Sequence, residues 1–289
     1  MRKAAAAGRQ PGNNYVLVVF DSCRFDTFMK ARPRVIPKLG TVERRWSYAS
    51  WTAPSHFNLL SGLLPHTSPK RIYASDYYKR DFLKFSERLG IEGIGFRSLV
   101  PMLYFPVFLR ESLGYRTHAK VSLPVINPKT ILNTGFDTYR LMDHHNDMRA
   151  MLREMHFAAD RPSFYLLNVG ETHYPYALPD EPPDQWPRLS GVHGIFKHLD
   201  DEVVGGKLVT RRDKFFDEKA LRQLRQRQIQ AVKYLDSVVA ELFDLVPKDT
   251  WITVTSDHGE LFGESGYFGH GPINHPKVFE VPFVEGKLR

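Results

Sequence analysis

Residues 15–21 read YVLVVFD, so that six apolar residues run without interruption into the carboxylate of Asp21. Residues 164–169 (FYLLNV) and 251–255 (WITVT) form two similar runs, and each is followed by a short polar segment. Runs of this length that are rich in β-branched and aromatic residues are typical of strands buried on both faces of a parallel sheet. Because ligands bind beyond the carboxyl ends of such strands, we expect the polar residues after the three runs to meet in space.

Helical patterns lie between these runs. From residue 213 to residue 246 the apolar residues repeat mostly at intervals of three and four, which predicts one long helix with a charged, solvated face. Strands that alternate with helices predict a three-layer α/β/α fold with a mostly parallel central sheet. We expect a disordered basic lead at residues 1–13 and one domain at residues 14–289.

Residues 177–212 interrupt the alternation, because they are rich in proline and glycine and show little periodicity. A segment of this kind is usually either a cover over a binding site or a mobile surface loop. We interpret it as a candidate substrate-facing insertion, with the surface loop as the alternative.

Composition limits the classes of partner. The chain has 40 Lys and Arg against 32 Asp and Glu, a net charge of +8, which favours an anionic partner. No nucleic-acid-binding module is recognised around the arginines of residues 211–227, so we expect a small anionic substrate and no nucleic acid. The sequence does not indicate an oligomeric state.

Cysteine content and hydropathy suggest a cellular location. A single cysteine excludes an internal disulfide framework and a cysteine-rich zinc site. No run approaches the roughly 18 apolar residues of a membrane-spanning helix, and the N-terminus lacks the apolar core of a signal peptide. We therefore expect a cytoplasmic protein without a membrane anchor.

The strongest chemical signal is residues 256–260, SDHGE, directly after the third apolar run. Adjacent Asp257 and His258 side chains can reach one ion where the chain leaves the pleat, and a carboxylate with an imidazole suits zinc or manganese better than calcium. An isolated Asp-His pair is more often an exposed turn. Asp21 is a candidate ligand in the same sense, with a helix N-cap as the alternative.

Thr52 opens residues 52–58, TAPSHFN, in which Pro54 fits the first turn of a helix. A hydroxyl at a helix N-terminus is most often a cap, and it becomes a nucleophile only where a nearby metal lowers its pKa. The residues alone leave both interpretations open.

In combination, these segments resemble the alkaline phosphatase superfamily, in its sulfatase-like branch. That branch includes phosphoethanolamine and glycerol-phosphate transferases, nucleotide pyrophosphatases and phosphonate monoester hydrolases. The resemblance extends from residue 15 to about residue 282, and it also includes residues 135–139 (GFDTY), 173–176 (HYPY) and 279–282 (FEVP). It implies an alkaline-phosphatase-like catalytic domain at residues 14–289.

The resemblance also implies roles for individual residues. One Zn²⁺ or Mn²⁺ would be bound by Asp21, Thr52, Asp257 and His258. Thr52 would also be the nucleophile, forming a covalent phosphothreonine that water or an acceptor alcohol resolves. The catalytic residues would be Thr52, His173 and His270. The substrate's anionic group would be bound by Arg24, His56, Asn58, His173 and His270. A second ion, if bound, would use Glu171, His173, His270 and His275.

Three departures from the sulfatases narrow the choice. Sulfatases have a cysteine or serine, matured to formylglycine, where this chain has Thr52. They also have an arginine in place of His56 and typically a lysine near the position of His270. In addition, two-metal members usually bind the second ion with an aspartate four residues before a histidine. In this chain the residue four positions before His173 is Val169, which cannot bind a metal. The resemblance therefore implies phosphoryl chemistry with one tightly bound metal.

We expect a metal-dependent hydrolase or phosphotransferase that acts on a phosphomonoester, a phosphodiester or a phosphonate ester. Two alternatives stay open on the sequence. One is a sulfatase or sulfamate-cleaving relative, and the other is a catalytically silent, anion-binding member of the fold.

Overall fold

A computed structural model of the chain describes residues 11–67, 74–187, 189, 203–204, 207–208 and 217–288. Its strands are β1 (Tyr15–Phe20), β2 (Glu43–Trp46), β3 (Arg116–Val121), β4 (Thr138–Leu141), β5 (Ser163–Val169), β6 (Val203–Val204), β7 (Lys207–Leu208), β8 (Trp251–Ser256), β9 (Leu261–Phe262), β10 (Phe268–Gly269) and β11 (Glu280–Lys287). Its helices are α1 (Phe25–Ala31), α2 (Thr52–Leu60), α3 (Ala74–Leu89), α4 (Phe96–Leu99), α5 (Phe105–Val107), α6 (Met148–Arg153), α7 (Glu218–Leu245) and α8 (Pro276–Phe279).

A seven-stranded sheet forms the centre of the structure, in the order β2-β11-β8-β1-β5-β3-β4. The three strands predicted from the apolar runs are adjacent and parallel, because β1 pairs with β5 on one side and with β8 on the other. Only β11 runs against its neighbours in this sheet, pairing antiparallel with both β8 and β2. The predicted mostly parallel α/β sheet is confirmed.

Side chains of β1 alternate between two cores, as expected for a central strand. One core includes Tyr15, Leu17 and Val19 and packs against α2 and α3. The other includes Val16 and Phe20 and packs against α1, α6 and α7. Helices therefore cover both faces of the sheet, which gives the three layers that the sequence predicted.

The strand register places the polar segments at one edge. Phe20, the last residue of β1, pairs with Val169 of β5 and with Ser256 of β8. The residues that follow these three strand ends therefore leave the sheet side by side. This position is the crevice in which α/β sheets bind their ligands.

The long predicted helix is present as α7, which begins at Glu218 and is 28 residues long. Asp217 caps its N-terminus by accepting a hydrogen bond from the Lys219 N–H at 2.9 Å. The apolar residues that predicted the helix are buried, among them Leu221, Leu235 and Leu242.

Two predicted segments lie mainly outside the described residues. Residues 1–10 of the expected disordered lead are among them, and so is most of the candidate insertion at residues 177–212. Asn13, which we assigned to the lead, belongs to the folded part, because its N–H donates to the carbonyl of Leu89 at 2.7 Å. None of the helices in the described part of the chain has the length and apolar character needed to span a bilayer.

Candidate active site

Asp21, Asp257 and His258 come together beyond the carboxyl ends of β1 and β8. One ligand atom from each lies within 4.8 Å of the others, and all three side chains are fully buried. No other group of three or more histidine, cysteine, aspartate and glutamate side chains within the described ranges meets this spacing. We call these three residues the ion cluster.

Thr52 faces the ion cluster from the start of α2. Its Oγ1 lies 3.5 Å from Asp21 Oδ1 and 3.3 Å from His258 Nε2. The N-cap residue of α2 is Trp51, so Thr52 does not have the capping role that competed with a functional one. The loop before it is held by Ser47 Oγ, which donates to the carbonyl of Asp257.

One of the two carboxylates of the ion cluster, that of Asp257, has an oxygen without a hydrogen-bond donor in the described part of the chain. Asp257 Oδ1 accepts hydrogen bonds from the N–H groups of Ser22 (3.1 Å) and His258 (2.9 Å). Its Oδ2 is buried and accepts a hydrogen bond from no described residue. Burial and the adjacent Asp21 carboxylate raise the pKa of Asp257 well above its usual range. Since an unpartnered buried carboxylate oxygen is costly, a cation would relieve both the desolvation and the like-charge repulsion.

His258 is held in the form that binds metals. Its Nδ1 lies 2.8 Å from the carbonyl of Gly259, so Nδ1 carries the proton and donates. The lone pair of Nε2 then faces the cluster, 3.3 Å from Asp257 Oδ2. Burial and the neighbouring His270 lower the pKa of His258 well below its usual value. This donor set of carboxylates, a neutral imidazole and a hydroxyl fits a divalent cation such as Zn²⁺ or Mn²⁺.

His270 lies on the more open side of the ion cluster, with its side chain 20% exposed. Its Nδ1 is 3.2 Å from Glu260 Oε1, and Tyr176 O–H donates to the other oxygen of that carboxylate. Burial would lower the pKa of His270, but the hydrogen bond and the charge of Glu260 raise it above its usual value. The ring of His173 lies 5.3 Å from the ring of His270, so both histidines border the same space.

Arg24 is not available to bind substrate, which corrects the role inferred from the sequence. Its guanidinium donates to both oxygens of Asp26 at 2.8 Å and to Glu264 at 2.7 Å. It also donates to the carbonyl of Glu260 at 3.2 Å and is 1% exposed. Arg24 therefore ties α1 to the loop that carries Glu260.

His56 and Asn58 also differ from their expected substrate-binding role. His56 is buried, and its Nδ1 lies 2.8 Å from the carbonyl of Thr52 and 3.6 Å from Asp257 Oδ2. His56 therefore packs between the backbone of Thr52 and the carboxylate of Asp257. Asn58 donates from Nδ2 to the carbonyl of Pro54, one turn earlier in α2, at 2.9 Å.

Two members of the suggested second-ion set bond elsewhere. Glu171 is buried, and its Oε1 accepts the N–H of Met148 at the start of α6, at 2.8 Å. His275 is the N-cap of α8, and its Nδ1 accepts the N–H of Lys277 at 3.1 Å. This placement gives no support for Glu171 and His275 as ligands, whereas His173 and His270 remain near each other.

Sequence reasoning missed three residues that support the site. Asn168 donates from Nδ2 to Asp21 Oδ2 at 2.9 Å, and it was visible as the one amide within an apolar strand. Glu260 was visible in the SDHGE segment but was not assigned a role. Nothing in the sequence indicated a role for Gln228, because it is one of many polar residues in a long helix with a charged face.

A sequence model of the sulfatase family matches residues 13–284 of this chain. The chain belongs to the sulfatase family. The members of this family are enzymes that act on phosphate or sulfate esters. No curated protein sequence is significantly similar to this sulfatase-family chain.

Solved structures with the same fold agree with this assignment. The C-terminal periplasmic domain of EptC from Escherichia coli has a TM-score of 0.56 at 13% identity, over 99% of this chain and 75% of that one. The corresponding domain of phosphoethanolamine transferase EptC from Campylobacter jejuni has a TM-score of 0.52 at 14% identity, over 97% and 81%. A phosphonate monoester hydrolase from Silicibacter pomeroyi has a TM-score of 0.54 at 14% identity, over 95% and 68%. The sulfatase-like branch of the alkaline phosphatase superfamily, inferred from the motifs, is confirmed.

The expected cytoplasmic location is wrong. Similar folds are found in periplasmic domains of the two EptC proteins, and these function outside the cytoplasm. The expectation rested on one cysteine and on the lack of a long apolar run. Neither feature distinguishes a cytoplasmic protein from a periplasmic domain.

Proposed function

We propose that this sulfatase-family protein is a divalent-metal-dependent phosphoryl-ester hydrolase or phosphotransferase with Thr52 as its nucleophile. The position of Thr52 Oγ1, between Asp21 Oδ1 at 3.5 Å and His258 Nε2 at 3.3 Å, is the observation that carries the proposal. The substrate would be a phosphomonoester, a phosphodiester or a phosphonate ester. A location outside the cytoplasm is part of the proposal.

The cation would be held by Asp21, Thr52, Asp257 and His258. When bound, it supplies positive charge that stabilises the ionised hydroxyl and polarises a phosphoryl oxygen. Zinc is the first ion to test, because a crystal structure of the E. coli EptC domain is a complex with Zn. Manganese is the alternative that this donor set accepts.

Thr52 Oγ1, having lost its proton to solvent, attacks phosphorus while the bond to the leaving oxygen breaks on the opposite side, which leaves a phosphothreonine. His270, whose pKa Glu260 raises against the opposing effect of burial, gives a proton to the leaving oxygen. Water or an alcohol then gives a proton to the now neutral His270 and attacks the same phosphorus, which breaks the bond to Thr52 Oγ1. His173 binds the anionic group of the substrate from the side next to His270.

The proposal is tested with paired phosphate and sulfate esters of one phenol, assayed with zinc or manganese. We expect turnover of the phosphate esters alone, and we expect Thr52→Ala to reduce it by at least about 10³-fold, as for other covalent nucleophiles. The burst of released phenol in the first turnover should also disappear. Ser61→Ala is the matched control, because Ser61 ends the same helix and donates only to the carbonyl of Phe57.

Preference for the sulfate ester would favour a sulfatase or sulfamate-cleaving relative. Unchanged turnover in Thr52→Ala would refute the assignment of Thr52 as the nucleophile. If the wild type turned over neither ester, a catalytically silent, anion-binding protein would be favoured.

A further inference from the structure

Gln228 of α7 connects two of the loops at the ion cluster. It is fully buried, and its Nε2 donates to the carbonyl of Ser22 at 2.9 Å and to the carbonyl of Thr172 at 3.0 Å. Its Oε1 accepts from Thr27 Oγ1 at 2.6 Å. One amide therefore spans the loop after β1 and the loop after β5.

The orientation of this amide follows from its partners. The carbonyl oxygens of Ser22 and Thr172 can only accept, so the NH₂ group must face them. Both donors of that group are thereby used. An apolar side chain of the same length would leave two buried carbonyl groups without this partner, which is costly in a protein interior.

Both loops contact the aspartates of the ion cluster directly. Ser22 donates from its N–H to Asp257 Oδ1 at 3.1 Å and from its Oγ to Asp21 Oδ1 at 3.1 Å. Thr172 donates from Oγ1 to the carbonyl of Asp21 at 2.7 Å. Through Ser22, Gln228 is one residue removed from both carboxylates, and through Thr172 it is one residue removed from the backbone carbonyl of Asp21.

Ser22 needs such support, because its backbone is left-handed, with φ at 60°. A residue with a Cβ adopts this conformation only at an energetic cost, because the Cβ approaches the following carbonyl oxygen. Its N–H bonds to Asp257 and its carbonyl bonds to Gln228, so the peptide groups on both sides of Ser22 are held in place. Without the bond from Gln228, the loop can relax toward an ordinary conformation and turn the Ser22 N–H away from Asp257.

We propose that Gln228 is a positioning residue for the cation site: it holds Ser22 and Thr172 in the positions that align Asp21 and Asp257 for one ion. This inference rests on the proposed function, since it requires that the ion cluster binds a divalent cation. Gln228 itself does not contact the ion.

The test is the affinity of the metal-stripped protein for Zn²⁺ alone, measured by calorimetry on the full chain. Gln228→Met keeps the length and flexibility of the side chain but removes both donors. We expect it to weaken Zn²⁺ binding by about tenfold or more, the range seen when residues that orient metal ligands are replaced.

Asp236→Asn is the matched control, because it also alters a buried side chain of α7 that holds a loop. Asp236 accepts hydrogen bonds from the N–H groups of Arg34, Val35 and Ile36 at 2.7–3.1 Å, away from the ion cluster. We expect this variant to lose stability without losing Zn²⁺ affinity. Equal weakening in the two variants would mean that Gln228 is merely structural, and the proposal would be wrong.

The remaining outcomes separate this inference from the proposed function. If the wild type binds neither Zn²⁺ nor Mn²⁺, the proposed function fails and the inference fails with it. If the wild type and Gln228→Met bind Zn²⁺ equally, only the inference fails. Should Gln228→Met not fold, Thr27→Val decides, because it removes the nearer of the two donors to Gln228 Oε1 and leaves the Arg24 N–H at 3.5 Å. A loss of Zn²⁺ affinity in Thr27→Val, smaller than the tenfold expected for Gln228→Met, supports the proposal. An unchanged Zn²⁺ affinity in Thr27→Val overturns it.

Discussion

At the scale of single residues, Glu171 shows how strongly burial changes the pKa of a side chain in this protein. It lies two residues before His173, is fully buried, and has one oxygen that accepts no hydrogen bond from any described residue. Burial raises its pKa from 4.5 to about 7, against the opposing effect of the Met148 N–H. A protonated Glu171 is therefore favoured in the folded chain over most of the acid range.

We predict that Glu171→Gln stabilises the metal-free protein more at pH 8 than at pH 5. Because the pKa of Glu171 is higher in the folded state, its contribution to the free energy of unfolding of the wild type falls as the pH rises from about 4.5 to about 7. Glutamine resembles the protonated acid and does not incur this loss. The increase in the free energy of unfolding caused by Glu171→Gln should be about 3 kcal/mol at pH 8 and below about 1 kcal/mol at pH 5.

Urea unfolding at the two pH values measures this difference. Glu92→Gln changes an exposed glutamate and should show neither gain. A stabilisation by Glu171→Gln that is equal at both pH values would contradict the raised pKa.

At the scale of elements, the loop after β8 packs closely against the backbone of α8. Gly259 lies between His258 and Glu260, and its N–H donates to the carbonyl of Val278 at 2.6 Å. A Cβ at this position would overlap the carbonyl oxygen of Lys277, which is backbone and cannot move alone. The close approach of two chain segments thus requires glycine next to a ligand of the ion cluster.

We expect Gly259→Ala to lower the free energy of unfolding by about 1–3 kcal/mol, as overpacked sites do, and to weaken Zn²⁺ binding because His258 must shift. Thermal unfolding and Zn²⁺ titration measure the two effects. Gly95→Ala is the control, since its Cβ would lie 3.6 Å from the Leu83 side chain, an ordinary contact. Wild-type affinity in Gly259→Ala would mean that the two segments can separate without moving the ligand.

At the scale of the whole molecule, a buried ion pair joins the helical layer to the antiparallel strand. Arg88 of α3 is fully buried, and its Nε and Nη2 donate to the two oxygens of Glu285 in β11, at 2.7 and 3.1 Å. This bidentate pair fixes the position of α3 against the sheet.

Arg88→Met should lower the free energy of unfolding by about 3–5 kcal/mol, because it removes the bidentate cation and leaves the largely buried Glu285 carboxylate with only the longer hydrogen bonds from Trp251 and Thr253. The double variant with Glu285→Gln should recover part of this loss. Arg149→Met, which breaks an exposed pair with Glu241, should cost less than about 1 kcal/mol. Denaturant unfolding of the four proteins decides the prediction, and it fails if the buried and exposed pairs cost the same.

The sequence alone determined the three central strands, the long helix and the family, together with Asp21, Thr52, Asp257 and His258 as the candidate site. These features are local, since a buried strand and the ligand types that follow it are encoded within a few consecutive residues. Tertiary structure alone decided which groups those side chains meet. Arg24 bonds to Glu264, 240 positions away, and Gln228 bonds to Ser22 across 206 positions of the chain. Such partners depend on how distant segments pack, and the residue types of one segment do not specify the packing of another.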